Sequence, residues 1–138
     1  MVARSERGTV TLWVLGLCIG LMFLAGCSLD LWRAVAARRE LSAAADAAAT
    51  AGANGLDESA ARRGNVVLDP NRARVLAREA IASGARPPSL DDARVDAAPD
   101  RVVVTLRGHV GFSLLGIFMH GQRFEIEVHA SAAPEERS

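Results

Sequence analysis

From Val10 to Leu31 the chain runs through 22 residues in which Thr11, Ser28 and Asp30 are the only polar interruptions. A run of this kind predicts a helix that is apolar on every side. At a rise of about 1.5 Å per residue it reaches roughly 33 Å, enough to cross a hydrocarbon core about 30 Å thick. The apolar core of a secretory signal is shorter, about 7 to 15 residues, and the run counted only to Leu24 fits the long end of that range. Trp32 follows where an interfacial aromatic belt is expected. The helical pattern continues beyond it. Leu31, Val35, Leu41, Ala45 and Ala48 recur near helical spacing, and no Pro or Gly occurs after Trp32 until Gly52. Asn54-Gly55 supplies a stop. The pattern therefore predicts one continuous helix from about Thr9 to Ala53, apolar all round in its first half and amphipathic in its second. Asp30 precedes Arg33 by one turn, and an i,i+3 ion pair is its simplest explanation. The small residues from Ala43 to Ala49 admit a close approach, either by the chain's own domain or by another helix.

The pattern then changes. In "NVVLDPNRARVLAREAIASGARPPS" a loop leads into a second helix, with Asp69 as N-cap, Pro70 at the first helical position and Gly84 at the C-terminal cap. Ala73, Leu76, Ala77 and Ala80 form its apolar stripe, while Arg74, Arg78 and Glu79 face away. Beyond it the period shortens to two. "ARVDA" is a short strand, Ala98-Pro99-Asp100 a turn, and "RVVVTLRGHV" a strand with Val102, Val104, Leu106 and Val110 on one face. "QRFEIEVHAS" alternates with Phe124, Ile126 and Val128 inward and Arg123, Glu125, Glu127 and His129 outward. If the last two strands pair antiparallel, keeping both apolar sets on one face fixes the register parity and allows Arg107 to lie across from Glu125. The expected fold class is α+β: a long N-terminal helix, a second short helix and a small antiparallel sheet of about three strands.

Between the last two strands lies "GFSLLGIFMHG", Gly111 to Gly121, too apolar for an ordinary exposed hairpin loop. Phe112, Leu114, Leu115, Ile117, Phe118 and Met119 must be covered. Either the segment folds back over the sheet, or it meets a membrane surface or a partner subunit.

Composition narrows the function. Formal charges cancel and the basic residues are scattered, so nothing resembles the electrostatic footprint of a nucleic-acid-binding protein. The basic set is all Arg without Lys, as in the codon usage of a GC-rich bacterial genome. Tyr is absent and aromatic residues are few, which argues against a stacking platform for bases or sugars. Cys18 and Cys27 lie nine residues apart on the first helix, point to nearly opposite sides and cannot pair within the chain. His109, His120 and His129 fall at different heights and in a connection, so a metal centre is not expected. Neither paired carboxylates facing a pocket, nor a nucleophile elbow, nor a phosphate loop is present. No catalytic residue, cofactor, metal or small-molecule substrate is expected, and the chain does not read as an enzyme.

Arg7-Gly8, the apolar span, Asp30 near its outer end, Arg38-Arg39 and the stretch "LSAAADAAATAGA" from Leu41 to Ala53 together resemble the N-terminal segment of the TadE/TadG-like proteins of Flp pilus (Tad) assembly systems. The strand, apolar segment and final strand resemble the C-terminal part of the same family. The resemblance implies a pseudopilin-like, single-pass membrane protein of the bacterial cell surface. It further implies that other pilus assembly or pilin-like subunits are met through the N-terminal helix. Related prepilins are cut after a Gly and carry Glu five residues later; here the fifth residue after Gly8 is Trp13, closer to the unprocessed TadG-like branch. The resemblance also implies a domain plan: a cytoplasmic leader over 1–8, a transmembrane helix over 9–31, its exposed continuation over 32–55, and a small extracytoplasmic α+β domain over 56–138. Charge alone does not orient the span, because Arg4 and Arg7 precede it while Arg33, Arg38 and Arg39 follow it.

A competing reading starts at Leu24-Ala25-Gly26-Cys27, which has the form of a lipoprotein signal. Cleavage before Cys27 and lipidation of its sulfur would make the chain an extracytoplasmic lipoprotein acting as a binding module. A lipoprotein usually continues into a flexible polar tether, whereas this chain continues into a helix in phase with the span. For the apolar connection, replacing Leu115 and Phe118 with Ser is expected to impair membrane or partner association, read by flotation and copurification, while the domain stays folded. Unfolding of the variant would instead assign the segment to the core.

Overall fold

The computed structural model describes residues 6–84, 86–113 and 123–134. Helix α1 runs from Glu6 to Ala53, 48 residues, followed by α2 (Glu58–Ala61), α3 (Pro70–Ser83), β1 (Leu90–Ala97), β2 (Val102–Val110) and β3 (Phe124–Ala132). The chain divides into two compact units: Met1–Ala34 with Gly111–Arg123, and Val35–Val110 with Phe124–Ser138. The expected α+β class, long first helix and three-stranded antiparallel sheet are all present.

In the first unit, the large apolar side chains of α1 are exposed. Leu12, Trp13, Leu17, Leu21, Met22 and Leu24 are each more than half exposed. Its hydroxyl at Ser28 is satisfied internally, Oγ donating to the Leu24 carbonyl at 2.9 Å, which lets a Ser sit in an apolar run. The helix is long and apolar enough to cross a membrane.

In the second unit the remainder of α1 acts as a core element. Leu41, Ala45, Ala48 and Ala49 are at most 1% exposed, so the small-residue stripe packs on the chain's own domain. The sheet has the order β1-β2-β3 with both pairings antiparallel. Val102, Val104, Leu106, Val110, Ile126, Val128 and Ala130 are buried, as period-two alternation requires. Phe124, expected inward, is 56% exposed, because it lies at the first position of its strand, opposite Val110. Arg107 pairs with Glu127 rather than Glu125, and Glu125 opposes His109. Both apolar sets share one face as parity requires, but parity leaves the register free to slide by two residues, and the observed register sets Glu127 against Arg107.

Helix α3 begins as its sequence dictates. Asp69 accepts hydrogen bonds from the backbone N–H groups of Asn71 (2.9 Å) and Arg72 (3.3 Å), and Pro70 occupies the first turn. Ala73 and Ala77 are buried while Leu76 and Ala80 are half-buried. Arg74 does not face fully away: it is half-buried and its Nη2 donates to the Ala97 carbonyl at 3.3 Å. The four-residue α2, absent from the sequence reading, is nucleated by Asp57, whose Oδ1 accepts from Ser59 Oγ (2.6 Å), Ser59 N (2.8 Å) and Ala60 N (3.1 Å). These bonds, the Ser59 hydroxyl first, hold the Asp57 carboxyl below its ordinary range.

Two glycines permit the close approaches on which this packing depends. A Cβ on Gly108 would collide with the Ser89 carbonyl and stand 3.0 Å from Leu41 Cδ1. A Cβ on Gly55 would lie 2.7 Å from the Ala73 nitrogen, so Gly55 is required for proximity to α3, and its φ is not left-handed. Leu41 is the largest α1 side chain with no exposure in this core. Leu41→Ala is expected to lower the unfolding free energy of the second unit by about 2–5 kcal/mol, measured by urea titration of the full chain in detergent with far-UV circular dichroism. A loss under about 1 kcal/mol, the scale of a well-relaxed small deletion, would show that α1 does not hold the sheet.

Candidate functional site at the C-terminal end of the apolar run

Asp30 and Arg33 stand three positions apart on α1 and so share a helix face. Asp30 is 1% exposed, the one buried charged residue among those described. A carboxylate removed from water must be hydrogen-bonded. Its Oδ1 accepts from the backbone N–H of Ser113 at 3.0 Å. The Arg33 guanidinium lies 3.9 Å from the same oxygen, and its Nη1 donates to Ser113 Oγ at 2.9 Å. The sequence named Arg33 as the partner of Asp30. The structure gives that role first to Ser113, with Arg33 bridging to the same residue. Ser113 is the polar residue just inside the apolar Gly111–Gly121 segment, which was the only signal that it mattered. The arrangement has the chemistry of a clasp: a fixed acceptor, a backbone donor and a second donor closing the triangle. Phe112 is half-buried beside this clasp in sequence, and Trp32 is 69% exposed.

Of the other residues singled out from sequence, Leu114, Leu115, Ile117, Phe118, Met119 and His120 lie outside the described residues. Cys27 is half-buried within α1 and is not disulfide-bonded. On the outer face of the sheet, Arg107 Nε donates to Glu127 Oε2 at 2.9 Å, and Glu127 Oε1 lies 3.0 Å from His129 Nε2. His129 Nδ1 is 3.0 Å from Thr105 Oγ1, and His109 Nδ1 is 2.6 Å from Asp91 Oδ2. These are exposed pairs in solvent, worth about 0–1 kcal/mol each. Among the described residues no group of three His, Cys, Asp or Glu side chains is placed to hold a metal ion.

The clasp makes a specific prediction. A hydrogen bond to a charged acceptor contributes about 1.5–3 kcal/mol, so Asp30→Ala is expected to speed hydrogen exchange at the Ser113 amide by roughly ten- to hundredfold. The amides of Val104 and Leu106 should be unaffected. Exchange at Ser113 that is unchanged would remove Asp30 from this role.

Comparison with known proteins returned no match among the curated proteins and none among the solved structures. Residues 8–55, which contain the apolar stretch, Asp30, the Arg38-Arg39 turn and the buried Ala stripe, match the family model described as Putative Flp pilus-assembly TadE/G-like.

Proposed function

We propose that this chain is a membrane-anchored structural or assembly subunit of a Tad (Flp) pilus, or of a related type IV pilus-like secretion system. In this reading residues 9–31 cross the membrane, 1–8 remain cytoplasmic, and 32–138 lie on the extracytoplasmic side as a pseudopilin-like module. The observation that carries it is the coincidence of the family match over 8–55 with one unbroken helix, Glu6–Ala53.

Energetics support the anchor. Fourteen large apolar side chains between Val10 and Trp32 are more than 40% exposed. At about 1.5 kcal/mol for each such side chain left in water, the total is on the order of 20 kcal/mol. That exceeds the 5–15 kcal/mol by which domains are typically stable, so lipid or other helices must cover the segment. A helix satisfies its backbone groups internally and is one of the two forms that can sit in hydrocarbon. Gly16 and Gly20 stand one turn apart with open space where a Cβ would be, a spacing that lets another subunit's helix approach closely. Helical continuity through Cys27 to Ala53 favours this anchor over the lipoprotein reading, which places a processing site inside the helix. The role is structural and needs no cofactor.

The test is the mass of the mature protein extracted from native membranes, combined with metabolic labelling by a fatty acid analogue. An intact N-terminal segment, resistance to carbonate extraction and copurification of pilin-like subunits are expected. A mature chain beginning at an acylated Cys27, with label lost in Cys27→Ser, would establish the lipoprotein instead.

A further inference from the structure

We infer that Arg38 and Arg39, with Arg33 nearer the span, form a cationic collar on α1 that binds headgroups of anionic phospholipid, of the phosphatidylglycerol type, in the leaflet from which the helix emerges. The inference rests on the reading of residues 9–31 as a membrane span. Trp32, 69% exposed at the end of the apolar run, then stands at headgroup level. At a rise of about 1.5 Å per residue, Arg38 and Arg39 leave α1 about 9 and 10.5 Å farther along its axis. Side chains on a helix lean toward its N-terminus, which here is toward the bilayer. A long arginine stem therefore brings the guanidinium down to the interface while its Cα stays in water.

The two arginines are left without a carboxylate. Both are exposed, and among the described residues neither makes a hydrogen bond or an ion pair. The residues three and four positions away from each are Ala, Val, Leu or Ser, so no partner is available along the helix. Arg72, Arg101 and Arg107 differ in this respect, each being held by a carboxylate at 2.8, 3.1 and 2.9 Å. Glu40, the nearest acid in sequence, projects about 100° around the helix from Arg39. Direction then selects lipid over protein as the occupant. At about 100° per residue, Arg33, Arg38 and Arg39 point to three sides of α1, separated by about 140°, 100° and 120°. A partner helix lies along one side and leaves the other arginines unmet, whereas a lipid surface surrounds the helix and meets all three. Arg33 donates through Nη1 to Ser113 Oγ, yet half of its side chain remains exposed. A guanidinium has five N–H donors in a planar fork that matches two phosphate oxygens at once. These are also the arginines that leave the charge count across the span ambiguous, and an anionic leaflet gives them a counter-charge.

Quenching of Trp32 fluorescence tests this in the full chain, with the other tryptophan removed by Trp13→Phe. The protein is reconstituted into vesicles of phosphatidylglycerol and phosphatidylcholine in equal parts. The vesicles are made twice, with one lipid or the other brominated on its acyl chains, so that quenching reports which lipid lies beside Trp32. A basic side chain close to an anionic surface is favoured by a factor of about five. Phosphatidylglycerol is therefore expected to be enriched about fivefold over phosphatidylcholine at low salt. The enrichment should fall to parity in Arg38→Gln/Arg39→Gln, and in 1 M NaCl, where the screening length is about 3 Å. Both positions are exposed, so the double variant keeps its fold, which far-UV circular dichroism checks. Equal quenching by the two lipids in the chain with both arginines overturns the collar and leaves the anchor standing, as does an enrichment that survives the double change in folded protein. Absence of quenching by either lipid overturns the anchor itself, and the collar with it.

Discussion

The structure depends on α1 remaining one helix across two environments. Its first part leaves fourteen large apolar side chains between Val10 and Trp32 more than 40% exposed, while its second part buries Leu41, Ala45, Ala48 and Ala49 completely or nearly so. A helix can serve both, because its backbone hydrogen bonds are made within the segment whatever surrounds it. The absence of Pro from α1, and of Gly between Gly26 and Gly52, follows from the same requirement.

The sheet is fitted to this helix through small residues. A Cβ on Gly52 would stand 3.0 Å from Val102 Cγ1 and 3.3 Å from Ala77 Cβ, so α1, β2 and α3 meet there with no spare volume. Gly108 does the same one strand-length away, under Leu41 and against Ser89. The Ala-rich composition that looks featureless in the sequence is what permits this approach. Large side chains on both faces would hold the layers apart. The loop between α1 and α3 is tied by the Leu56↔Leu68 bridge and by Leu68 N donating to the Pro99 carbonyl at 2.9 Å, which seats Leu68 at 2% exposure.

Electrostatics here divides by burial. The outer sheet face carries Arg107–Glu127 and His109–Asp91 pairs in solvent, where screening leaves them little weight in stability. Asp30 is the opposite case. Buried at the end of the apolar run, it is held by a backbone donor more than eighty residues away in sequence, and so couples α1 to Ser113 in the connection that follows β2.

Local rules carried much of this architecture. The lengths of α1 and α3, the Asp69 cap, the Pro99 turn and the alternation of β2 and β3 are all set by neighbours within a few residues, and each was readable in the chain. The membership of residues 8–55 in a recognisable pattern was legible for the same reason, since its marks are spaced along one helix. What the tertiary structure decided was non-local: Glu127 rather than Glu125 against Arg107, Phe124 at the rim rather than in the core, Arg74 turned toward Ala97, and Ser113 as the donor to Asp30. Periodicity specifies which face a residue occupies but not how far along a neighbouring strand its partner lies, nor which distant amide a buried carboxylate finds. Those choices belong to the packing of elements that meet only when the chain has folded.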